Sequence, residues 1–155
     1  MSKMKGHFPL EDGKRVAEKA QKLIGSKTFV CGSIRRGVES IGDVDIVVVE
    51  TKNLVSRLRK NGFAVKNSMA TAEIDGIPVA VYFCNEENVG SMIMHFTGSK
   101  ELNIMMRGTA RKKGMMLNQY GLFRGSECIA SHTEKEIYDA LGMRFLKPEE
   151  RKKSF

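Results

Sequence analysis

Asp43 and Asp45 open a run of branched apolar residues, Val44 and Ile46 to Val49, and this pairing constrains the chain more than any other feature. Such a run predicts a buried β-strand. Side chains alternate across a strand, so both carboxylates fall on one face. Two like charges at the head of a buried strand are costly unless a cation compensates them. An oxygen-rich carboxylate site suits Mg²⁺ or Mn²⁺. On the Asp-x-Asp pattern alone, the solvent-facing side of an edge strand is an equal reading.

The preceding residues shift that balance. Thr28 to Gly32 reads as a short buried strand, followed by the turn-rich stretch Gly32-Ser33-Ile34-Arg35-Arg36-Gly37 and then Gly42-Asp43-Val44-Asp45. A strand, a Gly-Ser turn, an arginine pair and two carboxylates are the parts of a nucleoside triphosphate site. Gly32 permits close backbone approach to a phosphate, and the Ser33 hydroxyl can bind phosphate oxygens. Arg35 or Arg36 can neutralise phosphate charge. Asp43 and Asp45 can hold metal ions that bridge phosphate and attacking hydroxyl.

Composition narrows the class of partner. The 155 residues suffice for one compact domain or two small subdomains. The formal net charge of +8 points to a polyanionic partner. Residues 99–155 carry 12 basic and 7 acidic residues, against 14 and 11 in residues 1–98, so the shorter part is the more basic. No apolar run reaches the length of a membrane span and none resembles a signal peptide, so the expectation is an intracellular protein that does not engage a membrane. Cys31, Cys84 and Cys128 are scattered and read as thiols without a zinc site. The ten methionines read as core filler.

The periodicity predicts helices over 10–24, ended by Gly25, and over 54–60, ended by Gly62. Residues 63–65, 72–74 and 77–83 read as strands, with Asp75-Gly76 as a hairpin turn. Further helices are predicted over 86–94 and 100–113, a small hairpin over 115–117 and 121–123, and a capping-box helix start at Thr133 with Glu136. Residues 147–155 read as a polar, basic tail. The fold class is mixed α/β (α+β): a sheet-based subdomain, 1–86, followed by a small α/β subdomain, 87–155.

The segments Gly32-Ser33-Ile34-Arg35-Arg36-Gly37 and Gly42-Asp43-Val44-Asp45 resemble the palm signature of the family X DNA polymerases, within the nucleotidyltransferase superfamily. Downstream, His95-Phe96-Thr97-Gly98-Ser99, Asn103 to Arg107 and Leu117 to Phe123 resemble segments of the same family's carboxyl-terminal subdomain, and Thr133 to Arg151 resembles its ending. The resemblance covers about residues 28–151 and implies the following roles. Gly32, Ser33, Arg36 and Gly42 lie at the triphosphate. Asp43 and Asp45 are catalytic and hold two Mg²⁺ ions, with Mn²⁺ as an alternative. His95, Phe96 and Gly98 line the sugar, and Asn103 meets the minor-groove side of the incoming base. Arg107 reaches the template strand, with Tyr120 near it, and the cluster Arg111, Lys112 and Lys113 meets DNA phosphates. The implied partners are a dNTP and primed or gapped DNA, bound by a monomer.

Taken alone, each of these downstream residues also has a bland reading. Phe96 could be core, Asn103 and Arg107 a solvated helix face, and His95 a structural histidine. His95 replaces the family's usual Tyr, as in minimal viral members.

Two family features are missing. Nothing before Phe29 resembles the helix-hairpin-helix and lyase domains of larger members, so neither is expected. The family's third metal-binding Asp lies fifteen residues before the aromatic position that His95 fills, which here is Ala80. Glu73 and Asp75 are poor substitutes because they lie across or within a hairpin turn. The expectation is a chain impaired in catalysis, by an Asp→Ala replacement at 80 or as a naturally inactive homologue. The rival functions are nucleotidyl transfer to a non-DNA acceptor and non-catalytic DNA binding.

Overall fold

A computed structural model of the chain describes residues 7–152. The chain divides into two compact units, the first ending at Cys84 and the second beginning at Asn85.

In the first unit, β1 (Phe8–Pro9) pairs with β3 (Ser40–Ile41) and leads into α1 (Leu10–Ile24). Glu11 and Asp12 in the first turn and Lys22 in the last complement the helix dipole. Gly25 ends α1 in the left-handed conformation, its N–H donating to Gln21 O at 3.0 Å, as its position after the apolar stripe predicts. The main sheet contains β2 (Thr28–Val30), β4 (Val44–Val49), β5 (Ala64–Lys66), β6 (Met69–Ile74) and β7 (Ile77–Cys84). Its strand order is β2-β4-β7-β6-β5. β4 and β7 are parallel and the other pairs antiparallel. The connection from β2 to β3 begins with a single helical turn, α2 (Gly32–Arg35), and that from β4 to β5 contains α3 (Leu54–Lys60).

Burial explains which face is which. Val44, Ile46 and Val48 of β4 and Val79, Val81 and Phe83 of β7 pack with Val16, Ala20 and Ile24 of α1 and Leu54 and Leu58 of α3 in one core. Each of the Val, Ile, Leu and Phe side chains among them contributes about 1.5–3 kcal/mol on burial. The alternate residues, Asp45 and Val47 on β4 and Ala80 and Tyr82 on β7, occupy the opposite face.

The second unit contains α4 (Val89–Thr97), α5 (Lys100–Lys112), a three-stranded antiparallel sheet of β8 (Met116–Asn118), β9 (Gly121–Arg124) and β10 (Glu127–Ala130), and α6 (Glu134–Ala140). Thr133 and Glu136 form the capping box their spacing predicts. A 3₁₀ turn, α7 (Pro148–Glu150), follows. The core gathers Leu102, Met106 and Ala110 of α5 with Leu117, Leu122, Ile137 and Tyr138.

Several boundaries differ from the sequence expectation. The Gly-Ser stretch read as a turn is helical from Gly32, so β2 stops at Val30. β6 begins at Met69 because Asn67 takes a positive φ of 56° and closes a second hairpin. The helix expected over 86–94 runs instead over Val89–Thr97. Asn85 and Asn88 each accept the other's backbone N–H through a side-chain oxygen, at 2.9 and 3.0 Å, and this reciprocal turn competes with helix. β10 joins the expected hairpin as a third strand. Within the expected tail, residues 147–152 are folded and Arg151 is buried; residues 153–155 lie outside the described region. Among the described residues, no helix is long and apolar enough to cross a membrane, and none of the three cysteines forms a disulfide.

Candidate functional site

The first unit brings Gly32 and Asp45 together through the backbone. The Cys31 N–H donates to Asp45 O at 2.8 Å, tying the entry of α2 to the head of β4. Gly32 has φ +64°, and a Cβ there would sit 2.6 Å from Asp45 Oδ2. Glycine is therefore required twice, by conformation and by the packing of the carboxylate. Ser33, Arg36, Gly42, Asp43 and Asp45 are all partly exposed, so the start of β4 is accessible from solvent. The Arg36 N–H donates to Gly32 O at 3.2 Å and the Val38 N–H to Ser33 O at 3.1 Å, folding the arginine pair back beside the turn.

Parallel pairing of β4 with β7 sets Ala80 directly opposite Asp45. The next residue on that face of β7 is Tyr82, which the sequence reading did not single out. Its hydroxyl donates a hydrogen bond to the Asp45 carboxylate. Burial first, then the charges of Asp45 and Asp43, push the Tyr82 phenol up to about 12. Burial is the larger cause, and the carboxylate charges add to it. The period-two rule from Ala80 was the signal that could have found it.

The donor set fits a divalent cation held by two carboxylates. A third is not supplied from nearby. Glu73 lies on β6, paired with Pro78 of β7 and so one strand farther from Asp45. Asp75 lies in the hairpin turn and is bound to Lys19 at 2.5 Å, whose ammonium holds its carboxyl below the usual range. Among the described residues, no three or more His, Cys, Asp or Glu side chains gather as a metal site.

The second unit collects a different set. His95 on α4 and Asn103 and Arg107 on α5 line one small recess with Met94, Leu117 and Asn118, with room for about one water at roughly 10 Å³. Asn103 and Arg107 reach it together because residues four apart share a helix face. The Asn103 Nδ2 donates to His95 O at 2.8 Å, fixing the end of α4 against α5. Burial, and then the neighbouring Arg107 charge, lower the His95 pKa, so the ring is neutral at pH 7 and offers one donor and one acceptor. Phe96 meets the His95 ring edge-on, with centroids 4.7 Å apart. Gly98 is buried with φ +74° and ends α4, and the Ser99 hydroxyl caps α5 by accepting the Leu102 N–H at 3.3 Å. Arg111, Lys112 and Lys113 are exposed at the end of α5. Tyr120 is 52% exposed in the β8–β9 turn, outside the group that lines the recess.

Comparison with known proteins adds to this geometry. Residues 11–77 match the family model described as DNA polymerase beta palm, and residues 92–152 match DNA polymerase beta thumb. The chain belongs to the family X DNA polymerases. It is 28% identical over 147 residues to the Repair DNA polymerase X of African swine fever virus (strain Badajoz 1971 Vero-adapted), covering 84% of each chain. It is 37% identical over 70 residues to DNA polymerase IV of Saccharomyces cerevisiae, covering 45% of this chain and 12% of that protein. Over 165 residues it is 26% identical to DNA polymerase lambda of Rattus norvegicus, covering 82% and 29% respectively. The chain thus spans most of the viral family member and under a third of the yeast and rat ones. The palm match includes Gly32, Ser33, Arg36, Gly42, Asp43 and Asp45; the thumb match includes every second-unit residue singled out above.

Proposed function

We propose that the chain is a DNA-directed DNA polymerase of the short-gap repair type, acting as an intracellular monomer on primed or gapped DNA and a dNTP. The primer 3′-oxygen bonds to the α-phosphate, the bond from that phosphate to pyrophosphate breaks, and the 3′-hydroxyl proton leaves. The observation that carries this reading is Asp45 on β4, packed against Gly32 in a chain that matches a palm and, farther along the sequence, a thumb; Asp43 lies just before that strand. Asp43 and Asp45 would hold Mg²⁺, or Mn²⁺, which when bound polarises the triphosphate and lowers the pKa of the attacking hydroxyl. Gly32 and Ser33 take the phosphates with Arg36, and Gly42 lets the chain pass close to them. His95, Phe96 and Gly98 meet the sugar, and Asn103 the base edge. Arg107 and Tyr120 meet the template, and Arg111, Lys112 and Lys113 the DNA backbone.

Ala80 stands where a third carboxylate would face Asp45, so the chain as it stands binds substrates better than it joins them. Positioning supplies much of the acceleration in such transfers, but proton removal from the 3′-hydroxyl needs an acceptor that a methyl group cannot be.

Primer extension on labelled gapped DNA with Mg²⁺ or Mn²⁺ tests this reading, using the chain and its Ala80→Asp variant. Template-dependent extension that rises steeply in Ala80→Asp is expected. No gain in the variant overturns the role assigned to position 80. Extension without regard to template favours another acceptor, and DNA binding without extension by either form favours a non-catalytic binding protein.

A further inference from the structure

The sheet face bearing the carboxylates carries Tyr82 one step along β7 from Ala80. In the parallel register Val47 pairs with Tyr82 and Asp45 with Ala80, so Tyr82 and Asp45 are diagonal neighbours on one face. A diagonal neighbour lies within reach of a long aromatic side chain. Tyr82 is half-buried, which limits the directions its hydroxyl can take. A carboxylate only accepts hydrogen bonds, so the phenol is the donor in its bond to Asp45. On the other side, Asp45 Oδ2 lies against Gly32 so closely that no Cβ fits between them. The carboxylate is therefore bounded by backbone on one side and by a hydroxyl on the other, while Ala80 opposite offers only a methyl group.

We propose that Tyr82 is a positioning residue: its hydroxyl occupies one lone pair of Asp45 and fixes the rotamer in which that carboxylate presents its remaining lone pairs to a divalent cation. This rests on the reading of Asp43 and Asp45 as metal ligands. An ionised carboxylate has about four lone-pair sites, so accepting from a phenol is compatible with holding a cation. What the donor removes is rotation about the side-chain bonds, the entropy that a lone metal-binding carboxylate must lose on coordination. With no third carboxylate to share the cation, that restraint weighs more heavily on Asp45.

Tyr82→Phe tests the role, because it keeps the ring and deletes the donor. In the full chain, Mn²⁺ binding in the presence of a dNTP is followed by electron paramagnetic resonance, with Asp45→Ala as reference. Removal of an outer hydrogen-bond partner should weaken binding by about tenfold, the lower end of the range for such partners. Thermal unfolding in excess chelator supplies a readout independent of any metal. The losses in melting temperature from Tyr82→Phe and Asp45→Ala should be less than additive in the double variant, because both delete one contact. Mn²⁺ binding lost in Asp45→Ala but unchanged or tighter in Tyr82→Phe overturns the positioning role alone, whatever happens to stability. Additive melting losses overturn the contact itself. Mn²⁺ binding indifferent to both Asp43 and Asp45 overturns the metal site, and the positioning role with it.

Discussion

The two units solve the problem of charge in opposite ways. The first buries an uninterrupted apolar sheet face against α1 and α3 and keeps its charged residues on the other face and at the edges. The second has a smaller sheet and closes its core around a charge. Arg151 is 1% exposed, donates to Glu134 at 2.6 Å and to Leu146 O at 2.8 and 3.0 Å, and stacks near the Tyr138 and Phe145 rings. A unit of this size has little apolar surface to bury, and a guanidinium with each of its three nitrogens hydrogen-bonded, packed near two rings, serves as its last core residue. The first unit thus keeps its carboxylates partly exposed beside and on an interior strand, whereas the second spends an ion pair on stability and exposes Arg111, Lys112 and Lys113.

The sharpest way to break this comparison is to remove the buried charge. Arg151→Met deletes the ion pair to Glu134, whose side chain is only 11% exposed, and should cost about 3–5 kcal/mol. Hydrogen exchange should show protection lost in α6 and retained in β4. Adding Glu134→Leu should restore much of the loss, since an apolar pair removes both halves of the buried ion pair. Equal loss of protection in both units would mean that the two cores do not stand separately.

The first unit should fail through backbone geometry. Gly32→Ala forces a β-carbon into a left-handed conformation and against Asp45 Oδ2. The strain alone is about 1–3 kcal/mol. Displacement of the carboxylate should weaken Mn²⁺-dependent dNTP binding as well, while DNA binding through the second unit is spared. Calorimetry with dNTP and Mn²⁺, alongside a DNA titration, separates the two effects.

A third contrast is ionic. Replacing Arg111, Lys112 and Lys113 by Ala should flatten the salt dependence of DNA affinity by up to roughly 0.9 per lost phosphate contact in the slope of log K against log salt. The first unit's dNTP binding should be unchanged. A slope equal to that of the parent chain would remove these three residues from the DNA interface.

What the sequence revealed follows the same division. The helices over 10–24 and 54–60 and the hairpin at Asp75-Gly76 were legible because a local signal determines each: an apolar stripe closed by glycine, or a turn pair with positive φ at both residues. The Gly-Ser segment and Asp45 lie near each other in sequence and pack together, but the segment read as a turn is helical from Gly32. β10 was not legible, because Glu127 and Cys128 are exposed and the strand is defined by pairing with β9. Arg151 read as tail because its partners, Glu134, Tyr138 and Phe145, are dispersed in sequence. Tyr82 was missed for a related reason: its meaning lies in the β4–β7 register, which brings position 80 to Asp45 and position 82 just beyond it.

The smallest expected effect is on pH. Burial and Arg107 hold the His95 pKa below its ordinary 6.5, so the folded second unit favours the neutral ring. The unfolded chain binds a proton there more readily than the folded one, so stability rises with pH wherever the two differ. The contribution is complete above about 6.5, the unfolded value, and is lost as pH falls through the lower folded value. Between pH 7 and pH 5 the melting temperature of the parent chain should therefore fall more than that of His95→Gln, which cannot titrate. Arg107→Gln removes the smaller of the two causes and should raise the His95 pKa without restoring it fully, because burial remains. Proton NMR of the ring measures this directly. A His95 that titrates above 6.5 in the folded chain would mean that the ring is solvated and that the recess shared with Asn103 and Arg107 does not desolvate it.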